Sequence, residues 1–254
     1  MRFVSLGMFD ACSDPDIMRA HFEVGETAVT VVSDEEYIGV AEKAIFEARE
    51  IIQRKIADDP FFGTTYDPYP SSDEDELIER MCQASIIAGV GPMAGVAGAV
   101  AYHAVKRMKE AGAKFAIVEN GGDIALLIDR DVTVGIFQND ERFRGLALSI
   151  PKREGIFGIC SSSGKIGPSV SLGNTGISTV FSDDVILADA CATALGNMIK
   201  EGSEEEMSYA VESIGRIDCV KGCLCISNGR MAMYGEVPQL VRSDGGGEAS
   251  SIIF

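Results

Sequence analysis

Lys114–Ile128 reads KFAIVENGGDIALLI, in which two short apolar runs flank the segment Glu119-Asn-Gly-Gly-Asp123. Apolar runs of this length on either side of glycines are typical of two successive strands. The paired glycines permit positive φ angles and let a ligand come close to the backbone, although Asn-Gly-Gly-Asp is also the composition of an ordinary turn. We therefore expect a strand, a glycine turn and a second strand here, with Asp123 directly before the second strand.

Further strands are expected on both sides of this segment. The sequence patterns predict them at Phe22–Val32, Val132–Phe137, Leu146–Ile150 and Gly155–Cys160. Near the C-terminus, Asn228-Gly229 is a strong signal for a two-residue hairpin loop, which joins Cys223–Ser227 to Met231–Tyr234. The predicted strands thus concentrate in the middle of the chain, with a separate hairpin near its end.

Helices are predicted around these strands. Ser33 and Glu36 form a capping box that opens a helix to about Ile56, and Pro92 begins a helix that ends near Gly112. Two more helices are expected from about 183 to 195 and from 207 to 214. Because strands and helices do not alternate regularly, the sequence predicts an α+β fold with antiparallel or mixed sheets flanked by helices in two closely packed lobes. Residues 1–242 are expected to form one domain, followed by a flexible tail at 243–254.

Composition and charge narrow the class of protein. The 39 acidic and 22 basic residues give a net charge of −17 without a local basic patch, which excludes nucleic acid and anionic membrane surfaces as expected partners. The 7 cysteines, without a secretory signal, favour a reducing cytoplasm. The apolar stretch Ala84–Val105 is rejected as a membrane span, because Gly91-Pro92 divides it into halves too short to cross a bilayer. The spacing of Gly91 and Gly95 instead indicates close backbone packing.

A polar pair interrupts the apolar helix Val185–Leu195. Asp189 and Thr193 lie one turn apart on one helix face, among alanines. A buried aspartate needs compensation from a cation, from backbone amides or from water, whereas an exposed helix edge would need none. Carboxylate and hydroxyl oxygens at this spacing suit a Mg²⁺ ion shared with substrate phosphates. The pair is therefore a candidate metal site, with the exposed edge as the alternative interpretation.

A second polar loop begins at the strand predicted for Gly155–Cys160. It reads Gly158-Ile-Cys-Ser-Ser-Ser-Gly164-Lys165 and differs from a phosphate-binding P-loop, because five residues separate its glycines and Ile166 replaces the metal-binding hydroxyl residue. Hydroxyl groups and exposed amides after a strand can still hydrogen-bond phosphate or ribose oxygens. The candidates for nucleotide binding in this loop are Ser161, Ser162, Ser163 and Gly164.

The order of these motifs resembles the ApbE superfamily. The segments that carry the resemblance are Ala88-Gly-Val-Gly-Pro-Met-Ala94, Glu119-Asn-Gly-Gly-Asp-Ile124, Gly158-Ile-Cys-Ser-Ser-Ser-Gly164, Gly167-Pro-Ser169 and Ala188-Asp-Ala-Cys-Ala-Thr-Ala194. No single motif is specific, whereas the ordered set is, and it most closely resembles an ApbE-like branch common in archaea. The best-known members of the superfamily are Mg²⁺-dependent FAD:protein FMN transferases.

The resemblance implies an α+β fold that binds FAD or a related nucleotide diphosphate beside the Gly-Gly-Asp turn. The implied residues are Asn120, Gly121, Gly122, Asp123 and Ser161–Gly164 for the cofactor, and Asp189 and Thr193 for Mg²⁺. FMN transfer would also need a base to activate an acceptor hydroxyl, for which Asp123 is the nearest candidate. Transferase members carry a histidine followed by Asp-Pro-x-Thr-Gly, whereas residues 167–180 contain no histidine here. The chain is thus either a flavin transferase or a divergent relative without that activity.

Two other functions remain open. Cys160 beside the serine loop and Cys191 in the candidate metal helix would support sulfur handling in sulfur amino-acid biosynthesis, with Cys160 as the reactive group. Core packing is the simpler explanation, because free cysteine is among the most buried residue types. A scaffold without catalytic activity is the second alternative. The expected partner is a small nucleotide or flavin, and the sequence leaves open whether the chain forms a homo-oligomer.

Overall fold

In the computed structural model, helices cover one face of a large antiparallel sheet and a smaller sheet covers the other face. The structure describes residues 17–24, 27–70, 75–136, 141–163 and 176–242, together with the backbone of 252–253. The layers therefore follow the order helices, large sheet, small sheet. This architecture confirms the predicted α+β class.

The strands are, in chain order, β1 (Ile17–Val24), β2 (Thr27–Asp34), β3 (Ala116–Asn120), β4 (Asp123–Leu127), β5 (Val132–Gly135), β6 (Leu146–Ile150), β7 (Phe157–Ser162), β8 (Ile177–Ser182), β9 (Val220–Ser227), β10 (Arg230–Gly235), β11 (Gln239–Arg242) and β12 (Ile252–Ile253). The helices are α1 (Glu35–Asp58), α2 (Glu76–Ala88), α3 (Val96–Glu110), α4 (Val185–Met198) and α5 (Glu204–Gly215). Short 3₁₀ helices lie at Pro92–Gly95 and Glu141–Phe143.

The large sheet has the strand order β1-β2-β3-β4-β7-β8-β9-β10, and the small sheet has the order β11-β6-β5-β12. The hairpin of β3 and β4 lies in the interior of the large sheet, with Asn120 opposite Asp123 across its turn. Strand β4 then pairs with β7, which places Asp123 opposite Cys160. Lys114–Ile128 thus forms the hairpin from which the candidate site is built.

The two faces of the large sheet contact different layers. On the helix side, small residues such as Ala116, Ala125 and Cys160 pack under the helices. One of these contacts leaves no room for a side chain, since a Cβ on Gly158 would lie 2.8 Å from the Cα atom of Val185 in α4. On the other side, larger aliphatic and aromatic residues pack against the small sheet. The helix side therefore permits the closest approach between helix and strand backbones.

The structure differs from the predicted elements in several places, and helix α2 and strand β11 are among the elements that were not predicted. Phe22–Val32 is part of the β1–β2 hairpin rather than one strand. The Ser33 hydroxyl does not cap α1, because Ser33 lies within β2 and donates to the carbonyl oxygen of Phe115 at 2.7 Å. Strand β8 was not predicted, because it is buried on both faces and its polar residues do not alternate with apolar ones. The Ser33 difference arises from a contact with a segment 82 positions away in the sequence.

Part of the predicted organisation lies outside the described residues, namely Gly164, residues 167–175 and residues 243–251. Within the predicted tail, the backbone of β12 pairs with β5. Among the described helices, none is by itself both long and apolar enough to cross a membrane. Helix α2 and the following Pro92–Glu110 segment reach that length and composition only together, and they are bent by 109° at the break.

Candidate functional site

A two-residue turn places Asp123 on the helix-facing side of the large sheet. The φ angles of Gly121 and Gly122 are 65° and 103°, which confirms the predicted positive φ. Positive φ at both central positions is the requirement of a type I′ hairpin turn, and glycine meets it without strain. Asp123 is buried, and its Oδ1 atom accepts a hydrogen bond from the backbone amide of Ser161 at 3.2 Å. The turn therefore fixes this carboxylate between β4 and β7.

Asp189 reaches the same region from α4. Its Oδ2 atom accepts a hydrogen bond from the backbone amide of Gly98 at 2.8 Å. The Ala97 amide also stabilises the charged form of the Asp189 carboxyl. Both amides belong to the first turn of α3, where unpaired N–H groups and the helix dipole stabilise negative charge. Asp189 is only 7% exposed, so the alternative of an exposed helix edge is wrong, and backbone amides supply part of the compensation that a buried carboxylate needs.

Small residues allow this contact between α3 and α4. A Cβ on Gly98 would lie 2.8 Å from the carbonyl oxygen of Val185 and 2.9 Å from the Cβ atom of Asp189. A Cβ on Gly91 would lie 2.0 Å from the carbonyl oxygen of Thr65. The prediction of close backbone packing around Gly91 is therefore confirmed, and the same requirement extends to Gly98.

The carboxyl groups of Asp123 and Asp189 influence each other. Burial raises the pKa of Asp123 well above its ordinary value, and the charge of Asp189 raises it further. Burial also raises the pKa of Asp189. Hydrogen bonds from the α3 amides and with Asp123 lower this pKa, but burial has the larger effect. Two buried carboxyl groups this close favour sharing a proton or a cation, because two uncompensated charges are unfavourable in an apolar layer.

Asn120 joins the turn to the helix layer. Its side-chain amide donates to the carbonyl oxygen of Ala97 at 3.2 Å, so the β3–β4 turn and the first turn of α3 are held together. The two histidines of the chain lie elsewhere. His21 contacts Thr30 and His103 contacts Glu47, each at 3.2 Å. The centre of the site is thus acidic, with backbone amides as its donors.

Comparison with known proteins identifies the family. A sequence profile described as "AbpE bacteria" matches residues 10–211. The chain belongs to this family. Among its relatives, the "UPF0280 protein" of Methanocella arvoryzae is 44% identical over 225 residues and covers 88% of this chain and 91% of the relative. The "UPF0280 protein" of Archaeoglobus fulgidus is also 44% identical over 225 residues, with 87% and 94% covered.

Solved structures give the same relation at the level of the fold. The flavinyl transferase ApbE of Pseudomonas stutzeri superposes with a TM-score of 0.55 at 12% identity, covering 90% of this chain and 96% of that chain. The ApbE protein of Thermotoga maritima superposes with a TM-score of 0.58 at 13% identity, covering 90% and 97%. The resemblance to the ApbE superfamily drawn from the ordered motifs is therefore confirmed, and the ApbE-like chain shares the fold of these proteins.

The three serines predicted to bind the cofactor have different surroundings in the ApbE-like chain. Ser161 Oγ lies 2.9 Å from Thr179 Oγ1, and Ser163 Oγ donates to the carbonyl oxygen of Gly176 at 2.9 Å. Ser162 faces the other side of the sheet from Ser161, because adjacent residues alternate along β7. Its buried Oγ has no hydrogen-bond partner within the described residues. The cofactor role of all three stays a prediction.

The oxygen atoms predicted to hold a metal only partly converge. Thr193 lies one turn beyond Asp189 in α4 and is half-buried. Within the ranges that the structure describes, no three His, Cys, Asp or Glu side chains form a group suited to a metal ion. An ion here would therefore need hydroxyl, backbone, water or phosphate oxygens besides the two aspartates. The assignment of a metal to Asp189 and Thr193 stays a prediction.

The buried thiols of this ApbE-like chain are poor nucleophiles. Cys160 is fully buried, and its Sγ donates to the carbonyl oxygen of Val185 at 3.5 Å. Burial raises the pKa of Cys160 well above its ordinary value, and the charges of the nearby aspartates add to this effect. Burial likewise raises the pKa to about 12 for Cys191, Cys223 and Cys225. Because the thiolate is the reactive form, nothing in this environment favours the sulfur-handling alternative or Cys160 as a reactive group.

Sequence reasoning missed Gly98 as a residue of the site, and it missed Ser178 as a buried polar residue. Gly98 supplies the amide that binds Asp189, and its only signal in the sequence is the repeated small residues before it. Ser178 lies opposite Ser162 in the pairing of β7 and β8, and its buried hydroxyl also has no partner in the described part of the chain. It belongs to the strand that was not predicted, so sequence patterns gave no reason to single it out.

Proposed function

We propose that this chain binds a flavin nucleotide, or a related nucleotide diphosphate, together with Mg²⁺, and that FMN transfer from FAD is the reaction served by the site. The diphosphate is assigned to the space beside the β3–β4 turn and the first turn of α3. Family membership supports this proposal, as do structural neighbours named as flavin transferases. Further support comes from the contacts that join the Asn120–Asp123 turn, the first turn of α3 and Asp189 of α4.

The observation that carries the proposal is the buried pair of Asp123 and Asp189. Neither carboxylate forms an ion pair with a lysine, arginine or histidine of the described ranges. A buried acidic pair of this kind contributes nothing favourable to folding by itself, since each charge opposes the other. Strongly shifted pKa values of this origin are concentrated at functional sites. The pair is therefore better explained by a bound cation than by stability.

The residues present fit Mg²⁺. Carboxylate and hydroxyl oxygens are hard donors, and Mg²⁺ in proteins is commonly held by one or two carboxylates while water and phosphate oxygens complete its shell. Asp123 and Asp189 would hold it, with Thr193 as the third protein donor that we propose. When bound, the ion supplies positive charge that neutralises the oxygens of a diphosphate.

Gly121 and Asn120 are the residues that we assign to leave space for the ligand and to hold the turn beside it. A Cβ on Gly121 would meet no atom within 4 Å, so the space above the turn is free in the described structure. Asn120 fixes this turn against α3 through the Ala97 carbonyl oxygen. Asp123 is also the nearest candidate to accept the proton of an acceptor hydroxyl, a role that it would take in place of holding the ion.

Thermal denaturation with FAD and Mg²⁺ tests the binding proposal. We expect the two together to raise the melting temperature, because a ligand that binds only the folded state stabilises it by mass action. Asp189→Asn keeps an oxygen for the Gly98 amide but removes the charge, so this variant should fold and lose the response. Asp129→Asn, which alters an exposed aspartate paired with Arg130, is the matched control and should respond like the wild type.

The reaction is tested separately by release of AMP from FAD in the presence of Mg²⁺ and a hydroxyl-bearing peptide. Transfer attaches FMN to the peptide oxygen and leaves AMP in equal amount. Binding without AMP release would remove the transfer reaction from the proposal and retain the binding site. A wild-type chain that shows no thermal response to any flavin or nucleotide with Mg²⁺ would remove both.

A further inference from the structure

We infer that Arg80 is a positioning residue for the proposed Mg²⁺ site and that it acts through Asp189. This inference rests on the proposed function, because it concerns a carboxylate that we assign to the ion. Arg80 lies in α2, a helix that was not predicted from the sequence. Its guanidinium contacts one residue of α3 and one residue next to α4. These are the two helices that the Gly98–Asp189 hydrogen bond joins.

The contact with α3 is a stack on an aromatic ring. The guanidinium carbon of Arg80 lies 4.0 Å from the centroid of the Tyr102 ring. Tyr102 comes four residues after Gly98, so both lie on one face of α3, about 6 Å apart along the helix axis. On this face, Gly98 approaches the backbone of Val185 and the side chain of Asp189. Arg80 therefore contacts α3 one turn beyond the point where α3 meets Asp189.

The contact with α4 is an ion pair with the residue that caps this helix. Nη2 of Arg80 lies 3.1 Å from Oδ1 of Asp184. The same Oδ1 accepts hydrogen bonds from the backbone amides of Ile186 and Leu187, at 3.1 Å each, and thereby caps the N-terminus of α4. Asp189 follows five residues later, about 7.5 Å along the helix. Through the cap, Arg80 holds the start of the helix that carries the Asp189 carboxylate.

The two contacts form a junction of α2, α3 and α4 next to the site. Arginine suits this place, because its planar guanidinium stacks on a ring and binds a carboxylate oxygen at the same time. The side chains of Arg80 and Asp184 are 22% and 37% exposed, and ion pairs of such exposure contribute little to stability. The Gly98–Asp189 hydrogen bond, in contrast, forms only within a narrow range of distances between α3 and α4. We therefore assign the junction to keep that distance.

Arg153 provides a matched control. Its guanidinium carbon lies 3.5 Å from the centroid of the Phe157 ring, and its Nη2 lies 2.8 Å from Oδ1 of Asp183. The chemistry is that of Arg80, the exposure of 29% is similar, and the partner is the sequence neighbour of Asp184. Phe157, however, belongs to the core between the two sheets. Arg153 thus joins the segment before α4 to the small-sheet side rather than to α3.

The test compares Arg80→Met with Arg153→Met and with the wild type. Exchange of the backbone amide hydrogens of Ala97 and Gly98 is measured by NMR without ligand, and dissociation constants are measured for FAD with Mg²⁺. We expect these amides to exchange faster in Arg80→Met than in Arg153→Met, because α3 and α4 are held less closely. Arg80→Met should also bind FAD about tenfold more weakly, a loss typical of residues that orient metal ligands. Arg153→Met should bind FAD like the wild type.

Tyr102 gives a conservative pair of variants for the same junction. Tyr102→Phe keeps the ring under the Arg80 guanidinium and should match the wild type in both measurements. Tyr102→Leu removes the ring and should reproduce the faster amide exchange and the weaker FAD binding of Arg80→Met. If Arg80→Met does not fold, the comparison of these two variants decides alone.

Three results would overturn the inference and leave the proposed function in place. They are equal amide exchange in Arg80→Met and Arg153→Met, FAD binding unchanged by Arg80→Met, and FAD binding weakened equally by both arginine substitutions. A wild-type chain that does not bind FAD in the presence of Mg²⁺ would overturn both the inference and the proposed function.

Discussion

The two faces of the eight-stranded sheet are made by alternate residues of the same strands, yet they bury different chemistry. The face toward the small sheet carries large apolar side chains, such as Leu126, Phe181 and Leu224. Their neighbours on the helix face are smaller or polar, and they include Asp123 and Ser178. Side chains fill both layers, but only on the helix face do glycines such as Gly158 let a helix backbone approach a strand closely.

This difference explains where the site lies. Small residues under the helices let the first turn of α3 come within hydrogen-bond distance of the Asp189 carboxylate. A helix terminus so close to a sheet provides amides that stabilise anions, and no such group exists between the two sheets in the described residues. We therefore expect substitutions on the small-sheet face to change mainly the stability of the fold, and substitutions on the helix face to change the candidate site. Three predictions test this comparison.

The largest effect is expected on the apolar face. Phe181→Ala removes a fully buried aromatic ring between the sheets and should lower the free energy of unfolding by about 3–5 kcal/mol. Urea denaturation measures this loss. The folded variant should still respond to FAD and Mg²⁺, because its helix face is unaltered. A loss below about 1 kcal/mol would mean that the site can collapse around the cavity.

A smaller effect is expected where α3 meets α4. Gly98→Ala inserts a Cβ against the Val185 carbonyl oxygen and Asp189, and it should lower the free energy of unfolding by about 1–3 kcal/mol. Gly39→Ala in α1 is the control, since a Cβ there would meet nothing within 4 Å. It should raise stability by roughly 0.5–1 kcal/mol, because alanine favours helix. If Gly98→Ala raised the free energy of unfolding as much as Gly39→Ala does, α3 and α4 would not be in close contact.

The smallest effect is expected in the pH dependence without metal. Burial raises the pKa of both Asp123 and Asp189, so the folded state retains protons that the unfolded state has already lost. Stability from these groups is present at low pH and is lost as pH rises from about 4 towards their raised pKa values. The melting temperature of Asp189→Asn minus that of the wild type should therefore increase as pH rises across this range. A constant difference would contradict the raised pKa of Asp189.

Local patterns were enough to predict the central elements. The glycine pair between two apolar runs specified the β3–β4 turn, since positive φ at two adjacent positions is a local requirement. Asn228-Gly229 specified the β9–β10 hairpin in the same way. The ordered motifs gave the family, because each motif lies in a short continuous segment. Within the site, Asp123 and Asp189 were both singled out from sequence.

The sequence by itself thus determined the turns, the apolar helices and the presence of an aspartate that needs compensation. Only the tertiary structure decided what compensates it, because Gly98 and Asp189 are 91 positions apart and meet through the packing of α3 on α4. It also decided that Ser162 faces Ser178, whereas Ser161 bonds Thr179 on the opposite side of the sheet. The physical reason is that backbone conformation follows from neighbouring residues, whereas hydrogen-bond partners of buried groups follow from which strands and helices pack together.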